Sequence, residues 1–321
     1  MSNEPTERGG NGPLAGLLSV LAATAAVCIW YGVTDHGIYH PDEVYQTLEP
    51  AHRLFYGWGL EAWEWEIGAR NYTLPALLAP LFGLAELLGL TASPAHLLPV
   101  TVFVSSLTAA AGAGVYRLAR NYEVRPVWAL VGAGLFAVAP ATLYLGHRPL
   151  AEVISTPFVV WGLALIMGPR APGRREGDRG RVWRLVGLSL LGLSVLLRLQ
   201  NALFGVVLVA IYRFGGAEEE YHEAMRVFAV WGLVYGLVDW VTWGLPYQSA
   251  GAYLRFNLVM GGTTDYYGFS SVGTYVVALV RTNGPAALLL VASIAAWRRA
   301  WRLWIVVGVF LVAHHLFGHK Q

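Results

Sequence analysis

Residues able to do chemistry are concentrated in one stretch of the sequence, residues 38–70. Six of the chain's twenty acidic residues lie in it: Asp42, Glu43, Glu49, Glu61, Glu64 and Glu66. Basic and aromatic side chains lie among them: His40, His52, Arg53, Arg70, Trp58, Trp63 and Trp65. Neighbouring carboxylates such as Asp42 and Glu43 can supply a general base that takes the proton from a hydroxyl nucleophile. The pattern therefore predicts an active-site loop.

Each part of this pattern also has a structural interpretation. Pro-Asp-Glu suits the first turn of a helix, so the acidic pair could simply cap one. A helix beginning at Pro41 would place Asp42, Gln46 and Glu49 on one face. The tryptophans could stack on sugar rings, but on their own they fit an aromatic belt at a membrane interface better.

Composition places the stretch in a membrane protein. Of the 321 residues, 56% are hydrophobic and 13% are charged, against roughly 25% charged residues in a soluble domain. A net charge of only +2 gives no reason to expect a nucleic-acid partner. The single cysteine, Cys28, excludes an intrachain disulfide framework and a thiolate metal site.

The hydropathy pattern predicts nine membrane-spanning helices, measured against the roughly 20 residues that a crossing needs. They cover residues 14–34, 96–117, 126–145, 149–168, 183–197, 200–213, 227–247, 284–297 and 301–317. Residues 1–13 are predicted to be a disordered cytoplasmic tail, and residues 14–321 one transmembrane domain. Residues 73–92 are apolar but interrupted by proline and glycine, and we expect them to form a re-entrant or interfacial helix.

The charge map orients these spans. With the N-terminus in the cytoplasm, 15 of the 22 Lys and Arg residues lie on the cytoplasmic side, as the positive-inside rule requires. Counting 73–92 as a crossing would weaken this bias. The loop at 35–95 then lies on the outer face, together with the polar segments at 146–149, 198–201, 246–283 and 319–321. Such a one-sided distribution favours an enzyme or receptor over a transport path.

Basic residues outside the loop are suited to binding a phosphate. Arg198 lies between apolar spans, where a cation should face a polar cavity or pair with an anion. Near the C-terminus, a histidine-lysine cluster lacks the acids of a metal motif and fits phosphate oxygens better. Its members are His314, His315, His319 and Lys320.

Polar residues near or within other spans have simpler interpretations. Asp239 lies inside a predicted span and should face protein or a cavity. For His147, Arg148 and Glu152, anchoring at the membrane interface is the favoured interpretation.

The order of these residues resembles the family 22 glycosyltransferases, which include mannosyltransferases of GPI-anchor and N-glycan assembly. The first-loop likeness is carried by His40 to Glu43, Gln46, Glu49 to His52, Gly57 to Gly59, Trp63 to Trp65 and Arg70 to Tyr72. Weaker landmarks follow in order: Arg198 with Gln200, Asp239 with Tyr247, Phe256-Asn257 before Tyr267-Gly268, and His314-His315 before His319-Lys320. The likeness covers about residues 14–321.

The resemblance implies an all-α, polytopic membrane protein of the GT-C type. Such enzymes transfer mannose from a polyprenyl-phosphate sugar to a glycan or lipid acceptor, with inversion and without a metal or other cofactor. Carried over, Asp42 is the base on the acceptor hydroxyl, and Glu43 helps to position that base or the acceptor.

The resemblance also suggests binding roles. Basic groups must neutralise the charge that develops on the leaving phosphate, and the candidates are Arg198, His319 and Lys320. The expected sugar- or acceptor-binding residues are His40, Gln46, Glu49, Trp63, Trp65 and Arg70.

The chain departs from the family pattern at its C-terminus. The pattern continues past His319-Lys320 through further helices, whereas this sequence stops at Gln321. We therefore expect either a fragment or a form without those helices. A lipid or solute transporter and a non-catalytic lipid-glycan binding protein are the alternatives. The short polar termini favour a prokaryotic plasma membrane, with the endoplasmic reticulum as the other candidate location.

Overall fold

The fold is helical throughout the described part of the chain. A computed structural model describes residues 12–35, 37–168, 177–260 and 297–315, with the isolated positions 274, 277, 280, 281 and 293. Every regular element in these ranges is a helix, which confirms the predicted all-α class. Most of the predicted tail, and nearly all of the predicted span at 284–297, lie outside them.

The helices follow one another with short connections. The α-helices are α1 (Gly12–Thr34), α2 (Glu49–Tyr56), α3 (Trp63–Glu66), α4 (Thr73–Leu87), α5 (Leu98–Asn121), α6 (Pro126–Val138), α7 (Pro140–Leu145), α8 (Ala151–Ile166), α9 (Asp178–Leu197), α10 (Ala202–Phe214), α11 (Glu218–Trp243), α12 (Gln248–Leu254) and α13 (Trp297–His315). Two π-helices, Glu43–Leu48 and Arg255–Val259, and two 3-10 turns, Ala95–Leu97 and Leu199–Asn201, join them.

Several of these helices could cross a membrane. Four described segments are long and apolar enough: Gly12–Thr34, Ala95–Asn121, Asp178–Leu197 and Glu218–Trp243. Four more apolar segments are shorter: Thr73–Leu87, Pro126–Val138, Ala151–Ile166 and Leu199–Phe214. The 15 residues of α4 fall short of the roughly 20 needed for a crossing. The total of nine spans stays a prediction.

The prediction of one continuous helix over 126–145 was wrong. Helix α6 ends at Val138, and α7 begins at Pro140. Between them Ala139 is extended, with φ −59° and ψ 133°. A residue before proline is driven out of the α region by the proline ring, so Pro140 breaks the span.

A buried apolar cluster supports the loop at residues 35–95, which is called the outer loop after its predicted side of the membrane. Helices α2 and α4 pack against each other, and α4 packs against α5 and α9. Their shared core contains Ala51, Leu74, Leu78, Phe82, Val100, Val104, Ile154 and Leu197. Because residues of α2 and α4 share this core with α5, α8 and α9, the helices of the loop are packed firmly against the membrane-spanning candidates.

The beginning of the loop is wound differently from the expected α-helix. Residues 43–48 form a π-helix, and α2 follows it directly. The wider turn of a π-helix separates the residues expected on one face. Asp42 and Gln46 line the same cavity, whereas Glu49 lies outside it and accepts a hydrogen bond from the Leu60 N–H at 2.5 Å.

The chain reverses sharply after α11. Gly244 ends that helix in the left-handed region, with φ 75°, where glycine has no steric penalty. Tyr247 is also left-handed, and its ring packs against Gly236, where a Cβ would lie 2.7 Å from the ring. This reversal brings α12 alongside α11 and next to the outer loop.

Candidate active site

Residues of the outer loop and of helices α4, α7, α8, α9, α11, α12 and α13 line a cavity of about 470 Å³. Its walls come from residues far apart in the sequence. The polar and aromatic lining residues are Tyr39, His40, Asp42, Gln46, Trp63, Glu64, Trp65, Arg70, Asn71, Glu152, Arg198, Gln200, Tyr235, Ser249, Tyr253, Phe256, Asn257 and Phe310. Most of the predicted site residues that the structure describes are therefore brought together here.

Asp42 presents its carboxylate to the cavity. It stands at the N-terminus of the π-helix, and its side chain makes no capping hydrogen bond. The helix-cap interpretation holds only for Glu43, whose carboxylate accepts the N–H groups of Tyr39 and His40 just before the helix. The Asp42 Oδ2 atom lies 3.4 Å from His40 Nδ1, and the Asp42 side chain is 22% exposed. Burial raises the pKa of Asp42 above its ordinary value, although the His40 and Arg70 charges act against this. A partly buried carboxylate with a raised pKa is a stronger base than an exposed one.

Glu43 is directed away from the cavity. Its carboxylate is buried and accepts the backbone N–H groups of Tyr39 and His40, at 2.9 and 3.0 Å. It also accepts hydrogen bonds from Arg148 Nη1. The structure does not bring Glu43 to the cavity, because all these contacts hold it behind the turn that carries Asp42.

Arg148 anchors that turn, which the interface-anchor interpretation did not foresee. It is only 3% exposed, and its Nη2 lies 2.7 Å from Asp35 Oδ2. Its Nη1 donates to the Gly37 carbonyl at 2.9 Å. Arg148 therefore ties the end of α1 and the start of the loop to the turn before α8. Nothing in the local pattern around Arg148 indicates these partners.

Glu64 and Arg70 form a two-point ion pair on the cavity wall. Arg70 Nε donates to Glu64 Oε2 at 3.0 Å, and Nη2 to Oε1 at 2.7 Å. Gln46 Nε2 approaches Glu64 at 3.5 Å, and the Arg70 guanidinium lies 5.9 Å from the centre of the Tyr253 ring. Sequence reasoning assigned no role to Glu64 or Tyr253, since neither stands out from its neighbours.

The two loop tryptophans have different surroundings. Trp65 is 3% exposed, and its indole N–H donates to the Tyr45 carbonyl at 2.9 Å. It packs on Tyr72 and Trp243, so it belongs to the interior of the loop. Trp63 is 37% exposed and lies 4.6 Å from the Phe256 ring at the mouth of the cavity. Of the two, Trp63 has the free ring surface that a sugar would need.

Arg198 occupies the break between α9 and α10. Its backbone is extended, with φ −152° and ψ 110°, so it projects from neither helix. Its Nη2 lies 2.9 Å from Glu152 Oε1, and both residues line the cavity. Arg198 thus pairs with an anion, as expected of a cation between apolar spans, while its role as a phosphate ligand stays a prediction. Glu152 is a cavity residue too, contrary to the interface-anchor interpretation.

Asp239 locks the loop to α12, and it faces protein as predicted. It is fully buried and accepts hydrogen bonds from Asn71 Nδ2, the Ser249 N–H and the Ser249 hydroxyl, all between 2.8 and 3.0 Å. Trp243 adds a bond from its indole N–H to the Arg70 carbonyl at 3.0 Å. These contacts set the position of the Arg70-Asn71 segment.

The predicted C-terminal phosphate ligands lie outside the residues that the structure describes. His319 and Lys320 fall beyond residue 315, the last that the structure describes. For His314 and His315 the structure describes the helical backbone only.

The pattern of the Alg9-like mannosyltransferase family matches residues 19–321. The chain belongs to this family. The match covers nearly the whole sequence, and it confirms the resemblance that was drawn from the outer loop.

Individual relatives of this Alg9-like chain are GPI mannosyltransferases. GPI mannosyltransferase 3 of Yarrowia lipolytica is 28% identical over 94% of this chain and 58% of the relative. GPI alpha-1,2-mannosyltransferase 3 of Danio rerio is 36% identical over 88% of this chain and 52% of the relative. The Alg9-like chain thus spans about half the length of these curated relatives.

The fold of the Alg9-like chain is shared with a solved structure. ArnT from Cupriavidus metallidurans, bound to undecaprenyl phosphate, superposes with a TM-score of 0.65 over 95% of this chain and 56% of that one, at 16% identity. At this identity the likeness establishes the fold alone. It confirms the predicted GT-C type.

Proposed function

We propose that the protein transfers a hexose, mannose, from a polyprenyl-phosphate sugar to a hydroxyl group of a glycan or glycolipid. The observation that carries the proposal is that a potential base and a potential phosphate-binding cation line the same cavity. Asp42 offers a carboxylate with a raised pKa, while Arg198 offers a cation. Family membership and the names of the relatives support mannose as the sugar.

Asp42 acts as the general base in this proposal. It takes the proton of the acceptor hydroxyl, and the acceptor oxygen then forms a bond to the anomeric carbon of the donor sugar. The bond from that carbon to the phosphate oxygen breaks, and its electron pair stays on the phosphate. Attack on the face opposite the leaving phosphate inverts the anomeric configuration.

Arg198 stabilises the leaving phosphate. As the reaction proceeds, Asp42 becomes neutral and the phosphate gains one negative charge. A cation near the phosphate therefore stabilises the transition state more than the bound donor, which is what lowers a barrier. We include His319 and Lys320 as further phosphate ligands on the strength of the family resemblance.

The cavity walls supply groups for the sugar and the acceptor. Trp63 offers an apolar ring face, and Gln46 offers hydrogen-bonding groups on the side of Asp42. His40 and the paired Arg70 lie nearby and complete the polar wall. Glu49 accepts a hydrogen bond from the Leu60 N–H, and Trp65 is buried inside the loop. We therefore assign both residues to the structure of the loop rather than to ligand binding.

We place the active site on the non-cytoplasmic side of the membrane. This follows the charge bias of the sequence, with the N-terminal tail in the cytoplasm. In that position the lipid bilayer would deliver both the polyprenyl donor and a lipid-linked acceptor to the cavity.

A transfer assay tests the proposal. Membranes containing the 321-residue chain are incubated with radiolabelled polyprenyl-phosphate mannose and a total lipid and glycan extract. We expect label in a new α-mannoside that α-mannosidase removes. Binding of the donor without any labelled product would support a binding protein instead, and donor flux into proteoliposomes would support a transporter.

A further inference from the structure

Arg198 is held in place by the local structure around it. The Arg198 N–H donates to the Ser194 carbonyl at 2.9 Å, which ends α9. Asn201, only 3% exposed, donates from its side chain to the same carbonyl at 3.1 Å. The break between the helices is therefore fixed before any ligand arrives, and so is the direction in which Arg198 leaves the backbone.

The charged groups of the cavity are already largely paired. Among the described lining residues, the carboxylates are Asp42, Glu64 and Glu152, and the guanidinium groups are Arg70 and Arg198. Arg70 pairs with Glu64, and Arg198 with Glu152. A phosphate that enters this cavity therefore competes with a carboxylate for each of the two guanidinium groups.

The two ion pairs differ in how easily a phosphate can displace the carboxylate from the guanidinium. The Glu64 and Arg70 side chains are 16% and 24% exposed and are joined at two points, which favours a fixed pair. The Glu152 carboxylate is 47% exposed and meets Arg198 through the Nη2–Oε1 contact of 2.9 Å. Because the Glu152 carboxylate is half exposed, water can solvate it when it separates from Arg198, so Glu152 is the partner that can leave.

We propose that Glu152 is the displaceable counter-ion of Arg198: the phosphate of a polyprenyl phosphate takes its place, and its return promotes release of that phosphate. The inference rests on the proposed function. A transferred sugar leaves behind a phosphate monoester, which carries about −1.5 to −2 charges near neutral pH. Such a product would bind a bare arginine tightly, and a competing carboxylate shortens its stay.

Binding of undecaprenyl phosphate to the purified 321-residue protein in nanodiscs tests this directly. Glu152→Gln keeps the size of the side chain and removes its charge. We expect affinity to rise by up to about fivefold, because a partly exposed ion pair contributes at most about 1 kcal/mol. Glu152→Asp keeps the charge and should bind like the parent. Glu66→Gln, which removes an exposed carboxylate outside the cavity, is the matched control.

A double variant separates direct competition from a change in folding. Arg198→Gln should weaken binding, and adding Glu152→Gln to it should restore nothing, because the competed cation is gone. A gain of affinity in the double variant, or unchanged affinity in Glu152→Gln with an unchanged unfolding midpoint, overturns the inference.

Inorganic phosphate distinguishes the source of the anion. We expect it to bind far more weakly than undecaprenyl phosphate in every variant, and equal affinities would overturn the assignment to a lipid-linked phosphate. Because no sugar is transferred in these titrations, a failure of the proposed transfer reaction leaves their result intact. If transfer occurs but Glu152→Gln does not tighten binding, the counter-ion role alone fails.

Discussion

Arg148 donates to both carboxylate oxygens of Glu43, at 3.2 and 3.1 Å, across 105 residues of sequence. Glu43 directly follows Asp42, so this bond attaches the turn that carries the proposed base to the turn before α8. Neither residue lines the cavity. We infer that the pair holds Asp42 at the cavity wall.

Replacing Arg148 with Gln should be strongly destabilising. The change leaves Glu43 and Asp35 without their shared cation, and breaking a buried ion pair costs about 3–5 kcal/mol. The apparent unfolding midpoint in detergent, measured at one scan rate, reports the loss. Arg213→Gln is the control, because the Arg213–Glu218 pair is more than half exposed and should contribute less than about 1 kcal/mol. Equal shifts in the two variants would contradict the anchoring role.

The rate of transfer should depend on pH through Asp42. The base works only when it is ionised, and burial raises its pKa. Activity should therefore fall as the pH drops through a value above the ordinary pKa of aspartate, which is about 3.9. Rates at saturating donor, measured from acid to neutral pH, give the position of this limb.

Glu64→Gln should move that acid limb to lower pH. Its negative charge raises the pKa of Asp42, and its loss also frees Arg70 to stabilise the ionised form. Both effects lower the pKa of Asp42. Glu66→Gln should leave the limb in place, whereas a shift to higher pH in Glu64→Gln would contradict the electrostatic account.

Asp239→Ala should loosen the outer loop. It leaves the Asn71 amide and the Ser249 N–H without their buried acceptor, and each unsatisfied group costs about 1–3 kcal/mol. We expect a lower unfolding midpoint together with reduced transfer, because Asn71 follows Arg70 directly. Thr242→Ala removes an exposed hydroxyl that bonds only within the same helix, so it should change neither quantity by much. Wild-type stability in Asp239→Ala would contradict the role of Asp239 in holding the loop against α12.

Gly59→Ala tests the shape of the loop. Gly59 has φ 143°, and a Cβ there would lie 2.6 Å from Glu49 Oε1. Backbone strain of this kind costs about 1–3 kcal/mol, so the variant should unfold earlier. Gly232→Ala is the opposite case: it lies inside α11 with open space around its Cβ position, and alanine should stabilise the helix by about 0.5–1 kcal/mol. Stabilisation by both changes would contradict the loop geometry.

Local chemistry made part of this site predictable from sequence. Asp42 stood out through its place in an acidic cluster after an apolar span, and Arg198 through its isolation between apolar segments. Arg148–Glu43 and Asn71–Asp239 did not, because their partners lie 105 and 168 residues apart. Periodicity and composition act over a few turns of helix and cannot pair such residues. Trp65 shows a related limit, since burial among Tyr72 and Trp243 depends on how the loop folds onto α11.

The helices were predicted with similar strengths and limits. Apolar runs located α1, α5 and α8 to within a few residues, because a long hydrophobic stretch has few other uses. Helix α11 begins at Glu218, nine residues before the predicted span at 227–247, because its first turns are polar. The break at Ala139 was missed although Pro140 signals it. The π-helix at Glu43–Leu48 had no recognisable signal, and it decided that Gln46 rather than Glu49 faces the cavity with Asp42.

The most direct test of the central claim is the transfer rate of Asp42→Asn, measured in a single turnover with donor already bound. We predict a loss of at least about 100-fold, the lower range for a general base, with undecaprenyl phosphate affinity and unfolding midpoint close to those of Glu66→Gln. Transfer by Asp42→Asn at the rate of that control would contradict the assignment of Asp42 as the base.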